Sequence, residues 1–307
     1  MKHDPLRGRT VVVTGAARGL GAALARDLAH RGAHLALLGH EKPALEALAA
    51  ELPTPAAGWE VDITDDAGMA DAARGVRATL GKPSVVIANA GIAEGGPLAE
   101  SDAASWRRVI DVNLTGSAIT ARAFLPDLVD TAGYYLQVAS LASIGASPMM
   151  SAYCASKAGV EAFAHSLRAE VAHQGVAVGI AYLNWTDTDM IRDADRHAVL
   201  RELRGHMPRP ARRVYPAEHV AARLARAVER RRTAVYVPGW LLAAQLGRVA
   251  LPPIVLRVSR RALPRLAARE PFLPTGLLGA GGRADGPGSP GSPGGIGSPG
   301  SGRSPVG

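Results

Sequence analysis

The chain of 307 residues is long enough for one large domain or two small ones, and 47% apolar residues can build a sizeable core. A charged fraction of 20% excludes wholesale disorder, and 4% aromatics argue against a nucleic-acid surface built on base stacking. The net charge of +8 is uneven: residues 1–191 balance at −5, residues 192–270 at +12 and residues 271–307 at +1. The basic last third therefore suits nucleic acid, anionic lipid or an acidic partner, or else carries its arginines on solvated helix faces; the few aromatics and the lack of a DNA-binding motif weigh against nucleic acid. The single cysteine, Cys154, rules out an intramolecular disulfide and a multi-cysteine zinc site. No His/Asp/Glu group has metal-ligand spacing, so no metal is expected. The basic residues after Met1 precede no apolar run, so no secretory signal is expected and the expected compartment is the cytoplasm.

Residues 10–13 form an apolar run of strand length, and residues 18–31 repeat Leu20, Ala23, Leu24 and Leu28 at helical spacing. Residues 34–38 read as a strand, 43–52 as a helix with Pro at its first turn, 59–61 as a short strand and 65–80 as a helix. Further strands are expected at 85–88, 134–138 and 176–183, separated by long helices at 103–128 and 151–173. Residues 217–231 and 234–237 add a last helix and strand. Val, Ile and Leu on both faces of the strands, alternating with helices, predict an open parallel α/β sheet with right-handed crossovers.

The loop Thr14-Gly15-Ala16-Ala17-Arg18-Gly19-Leu20-Gly21 follows a strand and opens a helix. Gly15 permits the sharp turn, while Gly19 and Gly21 allow close approach to a ligand. Backbone N–H groups at such a helix start bind a pyrophosphate. Asp62, before Ile63, could accept from an adenine amino group or serve a nearby helix cap. Asn89-Ala90-Gly91 leaves room for a flat adenosine, or is simply a turn. A 2′-phosphate reader wants Arg or Lys after the second strand, and a 2′-hydroxyl reader wants an acid. Gly39-His40 supplies no acid and Arg18 lies in the loop, which favours NADP(H); Glu41 keeps NAD(H) open.

Tyr153 and Lys157 lie four residues apart on one helix face. An ammonium near a phenol stabilises phenolate, so Tyr153 can protonate a carbonyl oxygen in reduction and take a proton from an alcohol in oxidation. Ser140 ends a strand and can donate to the substrate oxygen, in competition with Ser143, Ser147 and Ser151. Asn113 sits within a helical pattern that disfavours it, which suggests a water held for proton relay or an amide bonded to backbone.

Together these motifs resemble the short-chain dehydrogenase/reductase family over residues 8–238. The resemblance rests on Thr14-Gly15-x-x-x-Gly19-x-Gly21, Asp62, Asn89-Ala90-Gly91, Asn113, Ser140 and Tyr153-x-x-x-Lys157. It implies a doubly wound, seven-stranded Rossmann-type sheet and hydride transfer between a nicotinamide cofactor and an alcohol or carbonyl. It also implies Asn113, Ser140, Tyr153 and Lys157 as the catalytic set, with Lys157 also bonding the nicotinamide ribose. Homodimers or homotetramers through the two long helices are implied as well. One departure is Leu183-Asn184, where the family usually has Pro-Gly. Asp187-Thr188-Asp189-Met190 still matches, leaving Thr188 for the carboxamide. The departure also motivates an alternative, a non-catalytic dinucleotide-binding scaffold or sensor.

Residues 187–215 should form a substrate lid at the end of a catalytic domain spanning 1–238. Residues 239–270 are an apolar and Arg-rich extension, bent at Pro252-Pro253. This pattern fits an interfacial segment on anionic lipid, or an arm packed over the pocket. A peripheral membrane contact would favour a hydrophobic alcohol or ketone substrate. Arg248 and the prolines argue against a span. Residues 276–307 hold 13 Gly and 5 Pro, so the tail from 271 is expected to be disordered.

Overall fold

In the computed structural model, which describes residues 5–284, Val11, Val12 and Val13 are fully enclosed at 0% exposure. A strand buried on both faces needs a helical layer on each side of its sheet. Strand β1 (Thr10–Thr14) is followed by β2 (His34–Gly39), β3 (Ala56–Glu60), β4 (Pro83–Ala88), the short β5 (Ala93–Glu94), β6 (Tyr134–Val138), β7 (Ala177–Leu183) and β8 (Ala234–Val237). All but β5 form one parallel sheet in the order β3-β2-β1-β4-β6-β7-β8. The order reverses between β1 and β4, which opens a ligand crevice beyond their carboxyl ends.

Helices α1 (Gly19–His30) and α2 (Lys42–Glu51) cover one face. Leu20, Leu24 and Leu28 repeat every four residues along α1 and point into that core. The other face is covered by α3 (Asp66–Leu80), α4 (Ala103–Ile110), α5 (Gly116–Asp130) and, after the single turn α6 (Leu141–Ile144), by α7 (Ser151–Val171). The expected lid consists of three short helices, α8 (Asp189–Ala194), α9 (Ala198–Gly205) and α10 (Arg209–Arg212). Helix α11 (Ala217–Glu229) joins α1 on the first face.

Several expectations need correction. The expected strand 59–61 is β3, which ends at Glu60 and begins at Ala56; its Ala-Ala-Gly start hid it. The expected helix 103–128 runs from Ala103 to Asp130 but carries a π-helical turn at Asp111–Thr115, where the Asn113 amide bonds the Ile92 backbone. Pro252 and Pro253 do not bend the extension. They occupy the first turn of α13 (Leu251–Ala267), where a missing N–H costs nothing; α13 follows α12 (Leu241–Leu246) and a tight turn at Arg248–Ala250. Disorder was expected from 271, yet β9 (Leu277–Leu278) pairs antiparallel with β5 and leads into α14 (Gly279–Ala284). The apolar Leu277-Leu278 pair anchors it: Leu278 is 1% exposed, and Thr275 exchanges hydrogen bonds with Gly95. Residues 285–307 of the expected disordered tail lie outside the described residues.

Candidate active site

The crevice is built first by backbone. Gly15 turns at φ +63°, a left-handed conformation suited to glycine, and a Cβ there would meet the Ala90 Cα at 2.8 Å. A Cβ on Gly21 would lie 2.1 Å from the Gly15 carbonyl. Asn89 holds this loop in place: its Nδ2 donates to the Thr14 carbonyl at 3.0 Å and to the Gly15 carbonyl at 3.3 Å. The backbone N–H groups of Asn89 and Ala90 donate to the Thr14 hydroxyl. Helix α1 begins beside the loop with no side-chain cap and no acid in its first turn. An uncapped, unneutralised helix start within a glycine cradle fits a dinucleotide pyrophosphate.

The chemical groups lie across the same crevice. The backbone leaves β6 at Ser140, whose hydroxyl caps α6 by accepting from Ala142 N–H at 3.1 Å. Tyr153 shares the cavity wall with Ser140. One turn further along α7, the Lys157 Nζ lies 5.7 Å from the Tyr153 ring centroid and donates to the Val138 carbonyl at 3.3 Å. Burial pushes Tyr153 up to about 12, against an opposing influence of the nearby Ser140 side chain. Burial pulls Lys157 down to about 8. A phenol that holds its proton thus stands beside an amine that keeps most of its charge at neutral pH.

These groups and the glycine loop line one cavity of about 640 Å³. Residues 9–198 match the family model for short chain dehydrogenases. The chain belongs to the short-chain dehydrogenase family. A short chain dehydrogenase from Pseudocercospora fijiensis is 31% identical over 68% of this chain and 71% of its own. A cis-4-hydroxycyclohexanecarboxylate dehydrogenase from Sinomonas cyclohexanicum is 36% identical over 66% of this chain and 84% of its own. The crystal structure of a short chain dehydrogenase/reductase from Burkholderia phymatum in complex with NAD superposes with a TM-score of 0.70 at 26% identity, covering 79% of this chain and 93% of that one. Family membership makes this protein a nicotinamide-dinucleotide-dependent oxidoreductase.

Every site residue expected from the short-chain dehydrogenase motifs lines the cavity except Asp62 and Asn113. The Asp62 carboxylate accepts from Arg108 and from both the backbone and hydroxyl of Thr64, which hold its pKa low against burial. Its neighbours Val61 and Ile63 reach the cavity instead. Asn113 is fully buried; its Oδ1 accepts from Ile92 N–H, while Nδ2 donates to the Ile92 carbonyl and the Ser156 hydroxyl. The expected amide bonded to backbone is present, and it fixes the chain after Gly91. Arg18 forms an ion pair with Glu41, so the two residues that bear on the 2′ position contact each other. Where Pro-Gly is absent, the Asn184 amide donates to the Ala211 and Arg213 carbonyls, tying the end of β7 to the lid. Thr188 closes over the glycine loop, its Cγ2 3.1 Å from where a Gly19 Cβ would stand.

Of the two readings of residues 239–270, the arm packed over the pocket is present as the far wall, although sequence reasoning named no residue of it. Leu251, Ile254, Val255, Val258 and Ala262 of α13 line the cavity, and Leu278 does so from β9. The spacing of the α13 residues is helical, so the signal was present; what pointed elsewhere was the density of arginines and prolines around them.

Proposed function

We propose that this protein is an NADP(H)-dependent oxidoreductase acting on a hydrophobic alcohol or ketone, with Tyr153 as the general acid/base. The observation that carries the reading is the meeting of Ser140, Tyr153 and Lys157 on the wall of the cavity that holds the glycine loop, with the Lys157 Nζ 5.7 Å from the Tyr153 ring centroid. When bound, the cofactor supplies or accepts the hydride. Gly15, Ala17, Gly19, Leu20 and Gly21 would hold its pyrophosphate; Asp62, Ile63 and Asn89-Ala90-Gly91 its adenosine; Thr188 its carboxamide. Arg18 and His40 would read the 2′-phosphate.

Ser140 donates to the substrate oxygen and fixes its position. In reduction Tyr153 delivers its proton to that oxygen; in oxidation it removes the proton from the alcohol. Lys157 favours the phenolate that the reduction leaves behind, and it would also bond the nicotinamide ribose. Asn113 acts by position, through Ile92 and Ser156. The apolar wall supplied by α13 supports a hydrophobic substrate. Peripheral contact with a membrane through residues 239–269 belongs to the same reading, as does assembly into homodimers or homotetramers. The exposed alanines Ala155, Ala158 and Ala162 on α7 offer a face that a helix of a second copy can approach closely.

Titration with NADPH and NADH, followed by nicotinamide fluorescence, and turnover on a panel of ketones test the proposal. Tighter NADPH binding with ketone reduction is expected. Tighter NADH binding would transfer the 2′ reading to Glu41. Binding without turnover on any ketone would favour the scaffold or sensor.

A further inference from the structure

The large apolar side chains left exposed are not scattered. Of the eight among the described residues, six fall between 242 and 258: Leu242, Leu246, Val249, Ile254, Leu256 and Val258. Leu246 is 80% and Val249 87% exposed, values that solvent alone does not reward. Around them the charge has one sign, because no Asp or Glu occurs between Glu229 and Glu270. Arg257, Arg260, Arg261 and Arg265 are exposed and make no ion pair among the described residues.

The segment that carries this patch is held firmly to the catalytic domain. Arg248 donates to both oxygens of the buried Glu161 on α7, at 2.9 and 3.2 Å, and to the Ser143 carbonyl of α6 at 3.1 Å. Gln245 and Tyr182 donate to the same Glu161, each at 2.8 Å. Ala262 and Leu266 are buried beneath α13. Ile254 and Val258 both line the cavity and remain 55% and 44% exposed, so they mark its mouth. The mouth therefore opens within the apolar patch.

We propose that the α12–α13 surface docks on an anionic lipid bilayer and that the mouth at Ile254 and Val258 admits a long-chain alcohol or ketone directly from it. The proposal rests on the oxidoreductase reading of the cavity. Apolar side chains entering the acyl boundary with arginines at headgroup level are what an interfacial helix requires. No helix among the described residues is long and apolar enough to cross a membrane, so the contact is made from one side. A second copy is a poorer occupant, because pairing this face with itself would set unneutralised arginines against arginines.

The test compares the wild type with a Leu246→Asp/Val249→Asp variant, whose positions are exposed and do not line the cavity. Flotation is measured with phosphatidylglycerol-containing vesicles and with pure phosphatidylcholine vesicles. Turnover is measured on the short soluble ketone most active in the panel, and on a long-chain methyl ketone carried in each vesicle. The wild type should float with the anionic vesicles at low salt and be released as salt rises. The variant should stay in solution while reducing the short ketone at the wild-type rate. For the long ketone, wild-type kcat/KM should be at least about tenfold higher on the anionic vesicles, and the variant should lose that difference.

A wild type that stays in solution, a variant that still floats, or equal turnover on the two vesicles would each overturn the proposal. So would a wild-type dimer that the double substitution splits, since a second copy would then be the occupant. Flotation without turnover of any ketone would leave the docking standing and remove the oxidoreductase reading on which the portal rests.

Discussion

Two regions of this chain are built from similar residues with opposite results. In the sheet and its covering helices, apolar residues are enclosed and charges are paired: Arg31 bonds both Asp27 and Glu229, and Arg77 bonds Asp127. In α12 and α13, leucines and valines stay exposed among arginines that make no ion pair among the described residues. The catalytic half resolves its sequence internally, whereas the extension, among the described residues, leaves apolar surface and charge unresolved except where Arg248 meets Glu161 and Arg269 meets Glu202. The comparison teaches that amphipathic spacing alone does not say what a helix packs against. The supply of counter-charges within the chain separates a face that meets the protein from one that can meet something else.

The contrast can be broken first at Lys157, the buried amine to which the proposed function gives a role and whose burial works against stability. Its folded pKa of about 8 lies below the unfolded value of 10.5. The unfolded chain therefore binds more protons between those values. The penalty is complete below pH 8 and fades as pH rises to 10.5. Lys157→Met should lower kcat by about a thousandfold and raise stability at neutral pH by roughly 2–3 kcal/mol, less the lost bond to Val138. Melting curves from neutral to alkaline pH check this: the two proteins should converge above pH 8. In the same pH series, wild-type ketone reduction should fall as pH passes about 8 and Lys157 loses its charge.

Gly21→Ala is the next largest effect. Its Cβ would drive into the Gly15 carbonyl, and NADPH affinity should fall roughly tenfold to a hundredfold by fluorescence titration. Arg248→Ala tests the ion pair with buried Glu161 that joins the two regions. It should cost about 1–3 kcal/mol by denaturant unfolding and raise KM for long ketones while leaving kcat on the short ketone nearly intact. Arg248→Lys should restore part of the loss. The smallest effect should come from Arg257→Gln/Arg260→Gln/Arg261→Gln. Stability should change by less than about 0.5 kcal/mol, while anionic vesicle binding weakens. A large loss of stability there would place these arginines inside the fold's own electrostatics and erase the contrast.

The parts that were legible in the sequence are those where local pattern and final environment agree. The glycine loop, Ser140, Tyr153 and Lys157 could be read because strand-end and helix-start positions are fixed by the alternation of periods around them. The sheet was legible because its strands are apolar on both faces. The π-helical turn at Asn113 was not, because it depends on the Ile92 backbone, which is distant in sequence. The occupation of Asp62 by Arg108 was hidden for the same reason. The β5–β9 pairing was missed because two-residue strands leave no periodic trace and the composition nearby suggested disorder. The α13 wall was visible as spacing, but what it faces depends on the cavity, which exists only in three dimensions.

The most direct test of the central claim follows NADPH absorbance during ketone reduction by the wild type and by Tyr153→Phe, with NADPH binding measured in parallel. Removing the hydroxyl while keeping the ring should lower kcat by about a thousandfold or more and leave NADPH affinity within about twofold. A Tyr153→Phe enzyme that keeps wild-type turnover would contradict the account, because the proton would then come from another group.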